Sequence, residues 1–238
     1  MDGEGPRGWG APLYAAVLDA TGVGPGTRLL DLGCGAGLFA RAAADRGAAV
    51  TGVDTDADAV ALAAAEVPAG TFTVRNAQDP PPGPFDVVAA VQLLEHVADP
   101  PALLRRAGRV GGVVAATVWG RERECDLRVL TEAFEPWLGP RGAARGPAVR
   151  EPAALRRMAE RAGLAVEQLD EVVVPFEYAD DDELVQPLLA SGPARAVARR
   201  IDPGTLRAAV LERLAPYRTA EGGYRLENLV RVLVASPR

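Results

Sequence analysis

Arg28-Leu29-Leu30-Asp31-Leu32-Gly33-Cys34-Gly35-Ala36-Gly37 is the stretch on which the rest of the chain is organised. An apolar run with the character of a buried strand ends in an acidic residue. Three glycines follow at alternate positions, and a helix-like run starts at Leu38. Glycine has no Cβ, so the chain can turn sharply here and its backbone can come close to a ligand. The amides at the start of the next helix then face that ligand.

Outward from this turn, strand and helix alternate strictly. A helix is predicted over 11–20, the first strand over 27–32, and an alanine-rich helix over 38–46. A second strand over 48–53 ends at Asp54. Asp56 or Asp58 caps a helix over 59–66. A short third strand covers 71–75, and Pro80 to Pro84 is a loop. The fourth strand, 85–91, is almost wholly apolar, as a strand buried on both faces should be. A helix over 102–107 and a fifth strand over 112–118 follow. This order predicts right-handed βαβ units and an α/β, doubly wound, Rossmann-like sheet of about seven strands, mostly parallel with an antiparallel last strand. Ligands in such sheets bind beyond the carboxyl ends of the strands, where strand order reverses.

The second half reads differently. A helix is predicted over 121–138, a Gly/Pro/Arg loop over 139–147, a helix over 151–162 stopped by Gly163, and a long strand over 164–178. Helices over 180–213 are interrupted at Gly192-Pro193 and at Pro203-Gly204, and a strand over 224–235 ends the chain. The domain expectation is one domain over 1–238, with an N-terminal helix region at 1–20. A helical lid insertion at 179–216 separates the last two strands. Its apolar residues Leu184, Leu188, Leu189, Val197 and Leu206 lean toward a hydrophobic substrate.

Composition removes whole classes of chemistry. The net charge of −6 argues against a general nucleic-acid binder, which shows a basic face. No apolar run approaches a membrane span, and no secretory signal opens the chain, so a cytoplasmic setting is expected. The chain has no lysine, which rules out Schiff-base chemistry and a Walker-type phosphate lysine. Ser191 and Ser236 are the only serines, and neither sits in a nucleophile elbow. The two cysteines, Cys34 and Cys125, make neither a disulfide framework nor a zinc pattern, and both read as packing residues. No metal is expected.

The residues of the turn then narrow the ligand. A dinucleotide fingerprint wants Gly-x-Gly-x-x-Gly, and here the third glycine comes one residue early. A carboxylate at Asp31 is poorly placed beside a pyrophosphate and well placed to accept from an amine. Asp54 lies 21 residues past Gly33, at the end of the second strand, where an acidic side chain can accept both ribose hydroxyls. An adenosine carrying a cationic amino-acid tail and no phosphate suits this set.

These residues resemble a family. Leu29 to Gly37 is similar to the first motif of the class I S-adenosylmethionine-dependent methyltransferases, and Gly52-Val53-Asp54-Thr55 to their second. Phe85-Asp86-Val87-Val88 followed by Leu93-Leu94-Glu95-His96-Val97 resembles the fourth-strand region of the ubiquinone/menaquinone-type subgroup, and Ala162-Gly163-Leu164 fits the entry to the sixth strand. The resemblance implies S-adenosylmethionine as cofactor, with Gly33, Gly35 and Gly37 lining its methionine part and the Gly33 and Cys34 backbone near its ammonium. It implies Asp54 and the adjoining Thr55 at the ribose. Asn76, Ala77 and Gln78 follow the third strand at the adenine, with Asn76 where the family usually has an acid. Val91 and Gln92 would face the sulfonium.

The activity implied is methyl transfer to the oxygen, nitrogen or carbon of a small-molecule acceptor. His96, the only histidine, is the candidate general base; the alternative is a helix-start residue that orients backbone or packs below the cofactor. Trp9, Tyr14 and Trp119 are candidate substrate-side residues, with core packing as the alternative for Trp9 and Tyr14. Three other readings stay open: cyclisation or other non-methylating chemistry with the same cofactor, non-catalytic sensing of that cofactor, and a nicotinamide oxidoreductase. Oligomeric state is not legible.

Overall fold

A computed structural model of the chain describes residues 6, 8–134, 137, 148–189, 197 and 201–238. They fall into two compact units. One comprises Gly10–Trp119, Pro147–Val172 and Val230–Arg238, the other Met1–Trp9, Gly120–Gly146 and Val173–Leu229.

In the first unit the chain runs α1 (Ala11–Ala20), β1 (Arg28–Leu32), α2 (Leu38–Asp45), β2 (Ala49–Asp54), α3 (Ala57–Glu66), β3 (Thr71–Val74), β4 (Phe85–Ala90), α4 (Pro100–Val110) and β5 (Gly111–Trp119). Further α-helices and strands among the described residues are α5 (Arg128–Glu132), α6 (Pro152–Arg161), β6 (Leu164–Tyr178), α7 (Asp181–Leu189), α8 (Pro203–Leu214) and β7 (Tyr224–Pro237). The seven strands form one sheet in the order β3-β2-β1-β4-β5-β7-β6. β1 pairs in parallel with β2 and β4, and β4 with β5, whereas β7 pairs antiparallel with β5. The doubly wound, mostly parallel sheet is therefore as the sequence predicts.

Strand order reverses between β1 and β4, which pair through Leu29–Val87, Leu30–Val88 and Asp31–Ala89. The turns that leave these two strands flank the crevice in which doubly wound sheets bind ligands. The core beneath them is aliphatic: Leu30 and Leu32 of β1, Val88 and Ala90 of β4, and Leu103 and Leu104 of α4 lie in one buried cluster. α4 starts at Pro100, two residues before its predicted start. Asp99 caps it by accepting from the Ala102 N–H at 2.9 Å, and proline suits a first turn whose amides have no helical partner.

In the second unit the predicted helix over 121–138 is corrected over 121–134; residues 135, 136 and 138 lie outside the described residues. A single 3-10 turn occupies Glu122–Glu124, Cys125 bridges Asn228, and α5 covers only Arg128–Glu132. The backbone of Asp126 and Leu127 is taken up by β7. The Asp126 N–H donates to the Glu227 carbonyl at 2.9 Å, and the Leu127 N–H to Asn228 Oδ1 at 3.0 Å. These long-range bonds override a helical local pattern. Pro203-Gly204, predicted to interrupt a helix, begins one: Asp202 accepts from the Thr205 N–H at 3.0 Å and caps α8. Leu184, Leu188, Val197 and Leu206 are buried, so packing accounts for their apolar character and they no longer argue for a hydrophobic substrate. The predicted loop over 139–147 and the break at Gly192-Pro193 lie outside the described residues.

Candidate functional site

The turn after β1 is held open by its own glycines. Gly33, Gly35 and Gly37 all have positive φ, at 72°, 50° and 87°, a region that residues with a Cβ rarely adopt. A Cβ at Gly33 would lie 2.7 Å from Leu93 Cδ1, and one at Gly37 2.8 Å from Ala63 Cα in α3. A Cβ at Gly35 would meet nothing within 4 Å. Packing against the α3 backbone thus demands the third glycine, the first meets only the Leu93 side chain, and the middle one faces open space.

Most of the turn's amides serve the protein itself. The Gly33 and Cys34 N–H groups both donate to the Val53 carbonyl, at 2.8 and 3.0 Å, lacing the end of β1 to β2. The Gly37 N–H donates to the Cys34 carbonyl at 2.9 Å. What Gly33 and Cys34 can offer an ammonium is therefore carbonyl oxygen. The Cys34 side chain is buried, and burial together with the Asp31 and Asp54 charges pushes its thiol up to about 12, so it is no nucleophile.

Asp31 is the most unusual residue of the region. It is 1% exposed, and its Oδ2 is buried without a hydrogen-bond partner among the described residues. Burial pushes its carboxyl up to about 7, and the Asp54 charge adds to the rise. A buried acceptor left unpaired is costly, and a ligand donor placed here would satisfy it.

Asp54 closes β2 half-buried. Its Oδ2 accepts from the Gly35 N–H at 2.9 Å and its Oδ1 from the Asp56 N–H at 3.0 Å. A carboxylate has about four acceptor sites, so about two remain for hydroxyls. Asp56 in turn caps α3, which fixes the whole Asp54–Asp56 segment. Thr55 is exposed.

Asn76, Ala77 and Gln78 form the turn after β3. Asn76 is exposed, and its Oδ1 accepts from the Gln78 N–H at 2.8 Å while keeping capacity for a second donor. Ala77 is buried in the core cluster. Gln78 braces the turn against α4: its Nε2 donates to the Asp99 carbonyl at 3.1 Å, and its carbonyl accepts from Arg106. The Gln78 side chain is therefore engaged outside the turn, whereas Asn76 Oδ1 bonds within it.

The turn after β4 holds Val91 and Gln92, both half-buried. Gln92 has φ 55°, the one non-glycine with positive φ among the described residues. His96 follows in the same irregular stretch. It is exposed, in a turn rather than at a helix start, and its N–H donates to the Leu93 carbonyl at 2.9 Å. The helix-start placement of His96 is thereby corrected. Tyr14 of α1 is half-buried with its ring edge-on to Phe39 at 5.7 Å, and Trp119 ends β5 paired with Val230. Trp9 belongs to the second unit, where it is buried against Phe176 at 5.2 Å.

Two residues escaped the sequence reading. Glu95, whose side chain is 5% exposed, is ion-paired to Arg150. Thr117 is fully buried, and its Oγ1 accepts from the Gln92 N–H at 2.8 Å. A lone hydroxyl in the otherwise apolar run Val113-Val114-Ala115-Ala116-Thr117-Val118 was the available signal for Thr117. The pairing of Glu95 with a residue 55 positions away left none.

A ligand with an amine for Asp31 and vicinal hydroxyls for Asp54 fits these residues, and the open face of Gly35 gives it room. Comparisons with known proteins agree. A family described as a methyltransferase domain matches residues 11–169. The ubiquinone biosynthesis O-methyltransferase of Thiobacillus denitrificans is 32% identical over 169 residues, covering 66% of this chain and 73% of the relative. Among solved structures, the (4+2)-cyclase SpnF superposes with a TM-score of 0.59 at 23% identity, over 100% of this chain and 86% of the other. The magnesium protoporphyrin IX methyltransferase of Synechocystis PCC 6803, with bound S-adenosylhomocysteine, gives a TM-score of 0.56 at 19% identity, over 95% and 80% of the two chains. At these identities the two structures bear on the fold alone.

Proposed function

The chain belongs to the methyltransferase-domain family, as a class I S-adenosylmethionine-dependent enzyme acting on a small molecule, and from that premise we propose that its acceptor atom is a hydroxyl oxygen. The support for oxygen is that relatives in two organisms, at 32% identity each, are O-methyltransferases. The observation that carries the cofactor site is the buried, unpartnered carboxylate oxygen of Asp31 below the glycine turn.

Bound S-adenosylmethionine supplies a methyl group already activated by its positive sulfonium. The residues of the chain hold and align. Asp31 accepts from the amino-acid ammonium, together with carbonyl oxygens of the Gly33–Cys34 backbone. Asp54 accepts from the ribose hydroxyls with the capacity its two backbone partners leave. Asn76 accepts from the adenine amine, and Val91 and Gln92 border the methyl. Holding nucleophile and methyl in line can supply several kcal/mol. His96, exposed on its turn, is assigned to relay the hydroxyl proton to solvent. The two cysteines, both buried thiols, suit a reducing cytoplasmic setting.

The test is methyl transfer from labelled cofactor to a panel of hydroxyl, amine and carbon acceptors, with S-adenosylhomocysteine followed in parallel. Label in a methyl ether with equal S-adenosylhomocysteine is expected. Turnover of amines alone would remove the oxygen assignment, and product without S-adenosylhomocysteine would move the enzyme to non-methylating chemistry.

A further inference from the structure

Gln92 combines two unfavourable features at one residue. Its backbone sits at φ 55°, where a side chain crowds the following carbonyl. Both polar atoms of its amide, Oε1 and Nε2, are buried and have no hydrogen-bond partner among the described residues. Strained backbone persists only where its surroundings over-determine it, and it concentrates at ligand clamps. Here the restraint is visible. Thr117, on the neighbouring strand β5 and fully buried, accepts the Gln92 N–H at 2.8 Å. β4 and β5 are in register through Ala89–Ala115 and Ala90–Ala116, so the Thr117 hydroxyl stands beside the point where the chain leaves β4.

We propose that Thr117 is a positioning residue, holding Gln92 in its left-handed turn so that the buried amide meets the acceptor substrate. A primary amide offers one acceptor and two donor hydrogens with no charge. The complementary group is an uncharged hydroxyl, which donates to Oε1 and accepts from Nε2. A carboxylate leaves Oε1 unpaired, and an ammonium leaves Nε2 unpaired. Gln92 and Thr117 therefore select a neutral hydroxyl-bearing acceptor. This inference rests on the proposed function above.

The test uses the full chain, 15N-labelled and saturated with S-adenosylhomocysteine, with the Gln92 side-chain amide signals assigned by their loss in Gln92→Leu. Catechol serves as the neutral hydroxyl probe. In the parent protein catechol is expected to shift the Gln92 amide signals. Thr117→Val, nearly the same size but unable to accept, should weaken catechol roughly tenfold. Thr117→Ser should restore it to within about threefold, with S-adenosylhomocysteine affinity little changed in both variants. Serine keeps the hydroxyl and removes only a methyl, so a general packing defect would not be rescued by it. Equal catechol affinity in the valine variant, or catechol binding that leaves the Gln92 signals still, overturns the proposal. So does an absence of catechol binding to protein that holds S-adenosylhomocysteine. Failure to bind S-adenosylhomocysteine at all overturns the underlying reading instead.

Discussion

Asp31 and Asp181 are both aspartates at the margin of an element, and the molecule treats them in opposite ways. Asp181 opens α7 in the second unit. Its carboxylate accepts from the Tyr224 hydroxyl at 2.7 Å and from Arg218, with Arg207 at 4.0 Å. The Tyr224 hydrogen bond, with help from the two guanidiniums, holds its carboxyl below the usual carboxylate range. Asp31, in the first unit, is sealed at the end of β1 with one oxygen unpartnered, and burial raises its carboxyl to about 7. Local structure is complete around Asp181, whereas the described residues supply no donor to Asp31 Oδ2. On the proposed function, the difference separates a charge that serves the fold from one that serves a ligand.

Replacing Asp31 should have the largest effect, and in two opposed directions. Asp31→Asn should weaken S-adenosylmethionine about a hundredfold or more in calorimetry, because the ammonium loses its buried counter-charge. The same change should stabilise the free protein at alkaline pH. A carboxyl raised from 3.8 to about 7 on folding favours the native state when protonated. That contribution is fully present below the unfolded pKa and lost as pH rises through the folded one. Above pH ~7 the ionised Asp31 therefore costs the fold up to about 4 kcal/mol, and a neutral asparagine avoids this. Denaturant melts should show the variant ahead at pH 8 and level near pH 4. A variant less stable at both values would mean that Asp31 is a structural acid like Asp181. In the parent protein, cofactor affinity should fall roughly tenfold per unit as pH drops below about 7, and in Asp31→Asn it should be flat.

Asp54→Ala sharpens the contrast. It removes the acceptor for the ribose and releases the Gly35 and Asp56 amides, so S-adenosylmethionine should bind about ten- to a hundredfold more weakly. It also removes the charge that helps to raise Asp31, so the midpoint of the pH dependence should move down. Unchanged affinity would remove Asp54 from the site, and an unmoved midpoint would uncouple the two carboxylates.

How much of this could be read from the chain follows the same division. Asp31, the three glycines and Asp54 were legible as candidates because each position is set by local spacing: a strand end, a turn, the next strand end. The parallel sheet was legible because strands buried on both faces are plainly apolar. Residues 125–127 were not, since this stretch pairs with β7, about a hundred positions away. Thr117 was half legible: its hydroxyl stood out in an apolar strand, but only the β4–β5 register reveals that it holds Gln92.

The smallest effect is expected at Tyr224, on the side of the comparison where the fold completes itself. Tyr224→Phe deletes the 2.7 Å hydrogen bond to Asp181 and leaves the ring in place, with Arg218 still stacked 5.2 Å from its centroid. Asp181 keeps its arginines, so the charge stays compensated and only a modest drop in thermal midpoint should follow. Its sign with pH is the reverse of that for Asp31. A carboxyl lowered on folding stabilises the native state above its unfolded pKa, and that stabilisation is lost as pH falls through the folded one. The gap between Tyr224→Phe and the parent should therefore be open at neutral pH and close in acid, whereas the gap for Asp31→Asn opens toward alkaline pH. Cofactor affinity should not move in Tyr224→Phe. A variant that lost S-adenosylmethionine binding while keeping its midpoint would place Asp181 among the groups that serve a ligand, and the division between the two aspartates would fail.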